Sequence, residues 1–130
     1  MAIYRSIQVS FWEDTKVQDE MTPEDRYFYI YLLTNPHTTQ CGCYEIGLRQ
    51  MSNETGYNVE TVEKLINRFE EFGVIKYSKT TKEVLILNWH KYNWTKSPKT
   101  IACIKKELKS VKDISFVDFL NGVSMGYIYP

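Results

Sequence analysis

Apolar and polar positions between residues 43 and 87 alternate differently from one segment to the next, and each pattern predicts an element. Residues 44–46 form a short β-favouring stretch. Leu48 and Met51 stand three apart within residues 47–55, the spacing of a short helix laid on a core. Gly56 supplies a turn. Val59, Val62, Leu65, Ile66, Phe69 and Phe72 then recur at intervals of three and four, one stripe of a longer helix that Asn58 can cap and Gly73 can end in a left-handed conformation. Residues 74–77 and 83–87 are β-rich runs on either side of the polar loop 78–82, a hairpin by length and composition.

The flanking segments carry helical signals of their own. Ser10 with Glu13 reads as a capping box opening the stretch FWEDTKVQ, with Phe11 and Trp12 as its core anchors. Thr22, Pro23 and Glu24 read as a second helix start. That helix, DRYFYIYLLT, is apolar from Tyr27 to Leu33 without a polar face, so it must be buried on several sides, by its own domain or by a second subunit; Asn35, Pro36 and His37 end it. After the hairpin and the stretch NWHKYN, Ser97-Pro98 opens an amphipathic helix marked by Ile101, Ile104, Leu108 and Val111. Its other face carries Lys99, Lys105, Lys106, Lys109 and Lys112. A short last helix is expected from Ser115 to Gly122. Strand, helix, turn, helix and hairpin in this order is the chain order of a winged helix-turn-helix. The fold class expected is therefore mainly α with a small β-hairpin, a winged helix-turn-helix with an extra N-terminal segment over residues 1–95 and a helical tail over 96–130.

Composition adds bounds. A chain of 130 residues fits one domain of about 100–150 residues with a single core. Ten Tyr, six Phe and three Trp form a large aromatic payload of the kind that serves cores and oligomer interfaces before anything else. Residues 1–12 hold no apolar run long enough for a signal peptide and no stretch reads as transmembrane, so a cytoplasmic location is expected. An odd count of three cysteines fits free thiols; Cys41 and Cys43 with His37, and His90 or Cys103 beyond, lack the second paired half of a structural zinc site, and Cys43 reads as a core-facing strand residue. Two histidines far apart, no paired carboxylates at metal spacing and no phosphate-cradling glycine loop argue against an enzyme. The acid pairs Glu13-Asp14 and Asp19-Glu20 read as exposed charge. No cofactor or metal is expected.

The net charge of zero conceals a division. Residues 1–75 hold six basic against twelve acidic side chains, whereas residues 76–130 hold ten lysines against four acids. The basic half is suited to phosphate, or to the acidic half of a second copy.

The phrases YRSIQVSFWEDTKV, MTPEDRYFYIYLLTNPHTTQCG, ETGY and NWHKYNWTKSPK resemble the N-terminal domain of DnaD-like replication proteins, the replisome organizers of Gram-positive bacteria and their phages. The resemblance covers nearly the whole chain and includes irregular loop residues such as Asn35 to Gln40. It implies a winged-helix domain that self-associates and takes part in helicase loading during replication initiation, with other replication-initiation or helicase-loading proteins as partners. The family's second, C-terminal helical domain has no counterpart in residues 96–130.

Charge along the longer helix shifts the expected DNA contact. Glu60, Glu63, Glu70 and Glu71 outnumber Lys64 and Arg68 there, which disfavours base readout in the major groove even though Thr61, Lys64, Asn67 and Arg68 share a face. The expected DNA contacts are Lys64, Arg68, Lys76, Lys79, Lys82, Lys91, Lys96 and Lys99, weak and mostly non-specific, with Trp89, Tyr92 and Trp94 lying among the last of them. The expected self-association surface is Tyr4, Ile7, Phe11, Tyr27, Tyr29 and Tyr31, giving a dimer or larger. A sequence-specific winged-helix transcription regulator is the alternative.

Overall fold

The computed structural model describes residues 3–128, with side chains described through Ser124. A 3-10 turn at Val9–Glu13 precedes α1 (Thr15–Asp19), α2 (Pro23–Thr34), β1 (Cys43–Glu45), α3 (Leu48–Thr55), α4 (Val59–Phe72), β2 (Ile75–Ser78), β3 (Glu83–Ile86), α5 (Trp89–Asn93), α6 (Pro98–Leu108) and α7 (Ile114–Ile128). The fold is mainly helical with one three-stranded antiparallel sheet in the order β1-β3-β2. No described helix is long and apolar enough to cross a membrane.

Local chemistry accounts for the helix ends. At α2 the Thr22 hydroxyl accepts from the Asp25 N–H at 3.1 Å while the Asp25 carboxylate accepts from the Thr22 N–H at 3.0 Å, a reciprocal capping box with Pro23 at the first helical position. Asn58 caps α4 through the Thr61 N–H, and Gly73, at φ 75°, ends it. Ser97 caps α6 through Thr100. The N-terminal segment differs from expectation. Ser10 caps nothing, and the helix begins at Thr15 because the Asp14 carboxylate accepts the N–H groups of Lys16 and Val17. Trp12 accordingly stands 53% exposed instead of anchoring the core, while Phe11 is half-buried.

The stripe on α4 buries Val62, Leu65, Ile66 and Phe69 in the core, where Phe28 and Tyr29 of α2 meet Phe69 edge-on at centroid distances of 5.3 and 5.7 Å. The sheet register sets Cys43 opposite Leu85 and Ile75 opposite Ile86, so the inner strand β3 is buried along its length. The tail joins the same core. Ile104 of α6 and Phe116 and Leu120 of α7 are buried with the sheet residues, and Val111 lies just past the end of α6. The last helix starts at Ile114 and runs beyond Gly122 to Ile128.

Two carboxylates clasp the tail from opposite sides. Glu83 on β3 accepts the backbone N–H groups of Lys112 and Asp113 at 2.9 and 2.8 Å. Glu107 on α6 accepts those of Gln40 and Cys41, at 3.0 and 2.8 Å, in the loop before β1. Each otherwise unpaired amide thereby meets a charged acceptor, the stronger kind of hydrogen bond. Gly42, at φ 87°, completes this corner. A side chain there would overlap the Trp89 ring at 2.4 Å, and the Trp89 Nε1 donates to the Gln40 carbonyl.

Candidate nucleic-acid interface

The hairpin presents its lysines because its inner side is used up by the core. Ile75 is buried, Lys76 points outward, and Tyr77 turns back so that its hydroxyl donates to the Ile46 carbonyl at 2.8 Å. The Ile46 N–H in turn donates to the Lys82 carbonyl at 2.7 Å, so two bonds to one residue fix the hairpin over the start of α3. Lys82 adopts φ 58°, a conformation that costs an L-residue on the order of 1 kcal/mol. The loop Ser78 to Lys82 is held by the Thr81 N–H donating to the Ser78 hydroxyl.

Lys64, Lys76, Lys79, Lys82, Lys91, Lys96 and Lys99 are all exposed, and none takes part in an ion pair among the described residues. Arg68 is different. Its Nε donates to the Asp25 carboxylate at 2.9 Å, its terminal nitrogen to the Glu20 carbonyl, and its guanidinium lies over the Phe72 ring at 4.9 Å. Asp25 is 2% exposed, and Arg68 supplies the charge that such a buried carboxylate needs. Arg68 therefore ties α4 to α2, and its charge is engaged by Asp25 although its side chain stays 45% exposed. With it engaged, Lys64 alone faces Glu60, Glu63, Glu70 and Glu71 on α4; Glu70 additionally accepts from the Tyr77 N–H.

The clasp brings the end of α6 to the hairpin. Lys112 donates through its backbone to Glu83, the residue after Lys82, and its ammonium meets Glu45 at 3.2 Å, an exposed pair worth little in itself. Lys109 follows directly on the last residue of α6 and is exposed, as are Lys105 and Lys106. The lysine face of α6 thus ends near the hairpin, although no periodicity in the sequence indicates which helix end approaches which loop. Lys91 and Lys96 lie at the opposite end of that segment, on α5 and the connection to α6.

The expected self-association residues separate into two groups. Tyr4 is 81% exposed and Tyr27 is 47% exposed, with the Tyr27 hydroxyl donating to the Thr55 carbonyl. Tyr29 is 8% exposed, covered by Phe11 and Phe69 of its own chain, and so is corrected to a core residue. Ile7, Phe11 and Tyr31 are half-buried, and the Tyr31 hydroxyl donates to Glu54 at 2.5 Å. Glu54 also meets His37 at 2.7 Å; partial burial opposes its charge, but the bonds from His37 and Tyr31 outweigh that and hold the carboxyl below its usual range. Ile3 and Val9, unremarkable in sequence, are among the most exposed apolar residues.

Cys41 and Cys43 are buried, Cys43 as the first residue of β1. Burial pushes the Cys41 thiol up to about 11 and raises Cys43 further, so both remain protonated near neutrality. No protein-family model, no characterised protein and no solved structure matches the chain.

Proposed function

We propose that residues 43–87 work as a winged helix-turn-helix and that the chain is a replication-initiation scaffold of the DnaD-like kind, which self-associates, holds DNA weakly and takes part in helicase loading. The observation that carries this reading is the hairpin: strand order β1-β3-β2 sets it beside α4, with Lys76, Lys79 and Lys82 outward and free of ion pairs among the described residues. Three such charges would neutralise about three phosphates, a contact that is weak at physiological salt and indifferent to sequence. Lysines of the tail, from Lys91 to Lys109, extend it.

The acid-rich face of α4 supports this division of labour. A helix carrying four glutamates against one free lysine is repelled by phosphate, so sequence reading in the major groove is not its task. That helix is better suited to a protein partner, as are the exposed apolar side chains of Ile3, Tyr4, Val9 and Trp12 to a second copy. Replication-initiation or helicase-loading proteins are the partners in this reading, on the strength of the sequence resemblance. Sedimentation of the purified chain tests the self-association arm. A Tyr4→Asp/Val9→Asp variant should sediment as a monomer where the parent is a dimer or larger; an unchanged mass removes this surface from the scheme.

A further inference from the structure

A groove of about 50 Å³ opens between the N-terminal turn, α2 and α5. Phe11, Tyr29, Trp89 and Tyr92 form its walls, the Asp14 carboxylate and the Asn88 amide lie in its lining, and no basic side chain lines it. Trp12, edge-on to Phe11 at 5.1 Å, and Tyr92, 49% exposed, are the exposed aromatics of the N-terminal turn and of α5, and Phe11 is half-buried.

Three polar groups of this groove have capacity to spare. Tyr29 is more than nine-tenths buried, yet its hydroxyl makes no hydrogen bond to a described residue. Burial raises its pKa, and Asp14 and Tyr92 raise it further, which places both near that hydroxyl. Asp14 uses Oδ1 to cap α1, leaving Oδ2 free. The Asn88 side chain does not cap α5. The Tyr29 hydroxyl is therefore open to the groove, where a solvent or ligand atom can meet it.

Aromatic walls with a carboxylate suit a flat cation; the chain's own Arg5, outside the lining, already sets its guanidinium 5.5 Å from the Trp89 centroid, which leaves Phe11 and Tyr92 as the rings for an incoming one. A guanidinium stacks on aromatic rings and offers a fork of N–H groups to acceptors such as the Asp14 carboxylate, the Tyr29 hydroxyl and the Asn88 carbonyl of this lining; an ammonium has neither the plane nor the fork. A nucleic-acid strand would bring phosphates to a lining that holds a carboxylate and no base, so it fits less well. We infer that this groove receives an arginine side chain from an extended segment of a protein partner. The inference is independent of the DNA reading, since none of the lysines assigned to DNA lines the groove.

The probe is an acetylated, amidated Ala-Ala-Arg-Ala-Ala peptide titrated into the ¹⁵N-labelled full chain. Amide and side-chain shifts are expected at Asp14, Asn88 and Tyr92, with a dissociation constant of about 1 mM, the strength of a single anchored side chain. The same peptide with citrulline, equal in shape but uncharged, should bind about tenfold more weakly. Asp14→Asn keeps a good cap for α1 and should lower affinity several-fold; Tyr29→Phe removes a hydroxyl that the fold does not use and should do the same without altering stability. Equal binding of the citrulline peptide, shifts confined to other surfaces, no binding at all, or a single-stranded oligonucleotide moving the same resonances would each overturn the inference. Retention of duplex DNA, measured separately, bears on the proposed function alone.

Discussion

Exchanging Glu83 for Gln alters the clasp on the tail while hardly changing shape. Glu83 is 3% exposed, and its two oxygens accept the Lys112 and Asp113 N–H groups at 2.9 and 2.8 Å. Glutamine offers one oxygen, so its NH₂ must face one of those backbone donors. A hydrogen bond to a charged group contributes about 1.5–3 kcal/mol, and a stranded buried donor costs about 1–3 kcal/mol; because the two describe one lost contact, the expected loss is about 2–4 kcal/mol. At this chain length the melting temperature should fall by roughly 10 °C. Urea unfolding followed by circular dichroism should show a lower midpoint with an unchanged slope. Glu107→Gln, which weakens the opposite side of the clasp at Gln40 and Cys41, should cost a similar amount. The double variant should lose less than the two losses added, since both release the same segment. A loss below about 0.5 kcal/mol for both single variants, the level of an ordinary surface change, would refute the assignment of these carboxylates as the tail's anchor.

Gly42→Ala should destabilise the chain by about 3 kcal/mol or more in thermal melts, because the new methyl meets Trp89 near the tryptophan's own backbone and φ is 87°. His90 lies between Trp94 and Phe119 at centroid distances of 6.1 and 6.5 Å; burial first, and Lys91 second, depress its pKa. The unfolded chain then binds the proton more readily than the folded one, so stability is fully present above the unfolded value of about 6.5 and declines as pH falls toward the folded value. His90→Phe, which keeps a ring between Trp94 and Phe119, should flatten that part of the stability profile; an unchanged slope would show that other groups set it.

Much of the fold is legible in the chain because its signals are local. The capping box of α2, the stripe of α4 between Asn58 and Gly73, and the alternation in β2 need only neighbours within a few residues. Longer-range contacts escape such reading. Arg68 and Asp25 are 43 residues apart, and nothing near either announces the pair. Tyr29 and Tyr27 belong to the same apolar run, yet one is buried and the other half-exposed, because Phe11 and Phe69 approach only one side of α2. Asp14 defeats Ser10 as the first cap since its carboxylate accepts two N–H groups where the hydroxyl finds only Gln8. The five-residue α5 falls below the length at which a periodic pattern can be recognised. The lysines of the candidate interface are plain in the sequence, but the Glu83 clasp that brings the end of α6 to the hairpin is not.

Whether the hairpin lysines meet phosphate is tested most directly by duplex binding across about 50 to 200 mM salt, for the parent chain and for a Lys76→Gln/Lys79→Gln/Lys82→Asn variant. Asparagine is chosen at position 82 because it tolerates the positive φ there. The parent should show a logarithmic salt slope of about −3 or steeper, and the variant a slope shallower by about 2.7, with the oligomer's mass unchanged. An identical slope in the variant, or no binding by the parent at the lowest salt, would contradict the assignment of the hairpin to DNA.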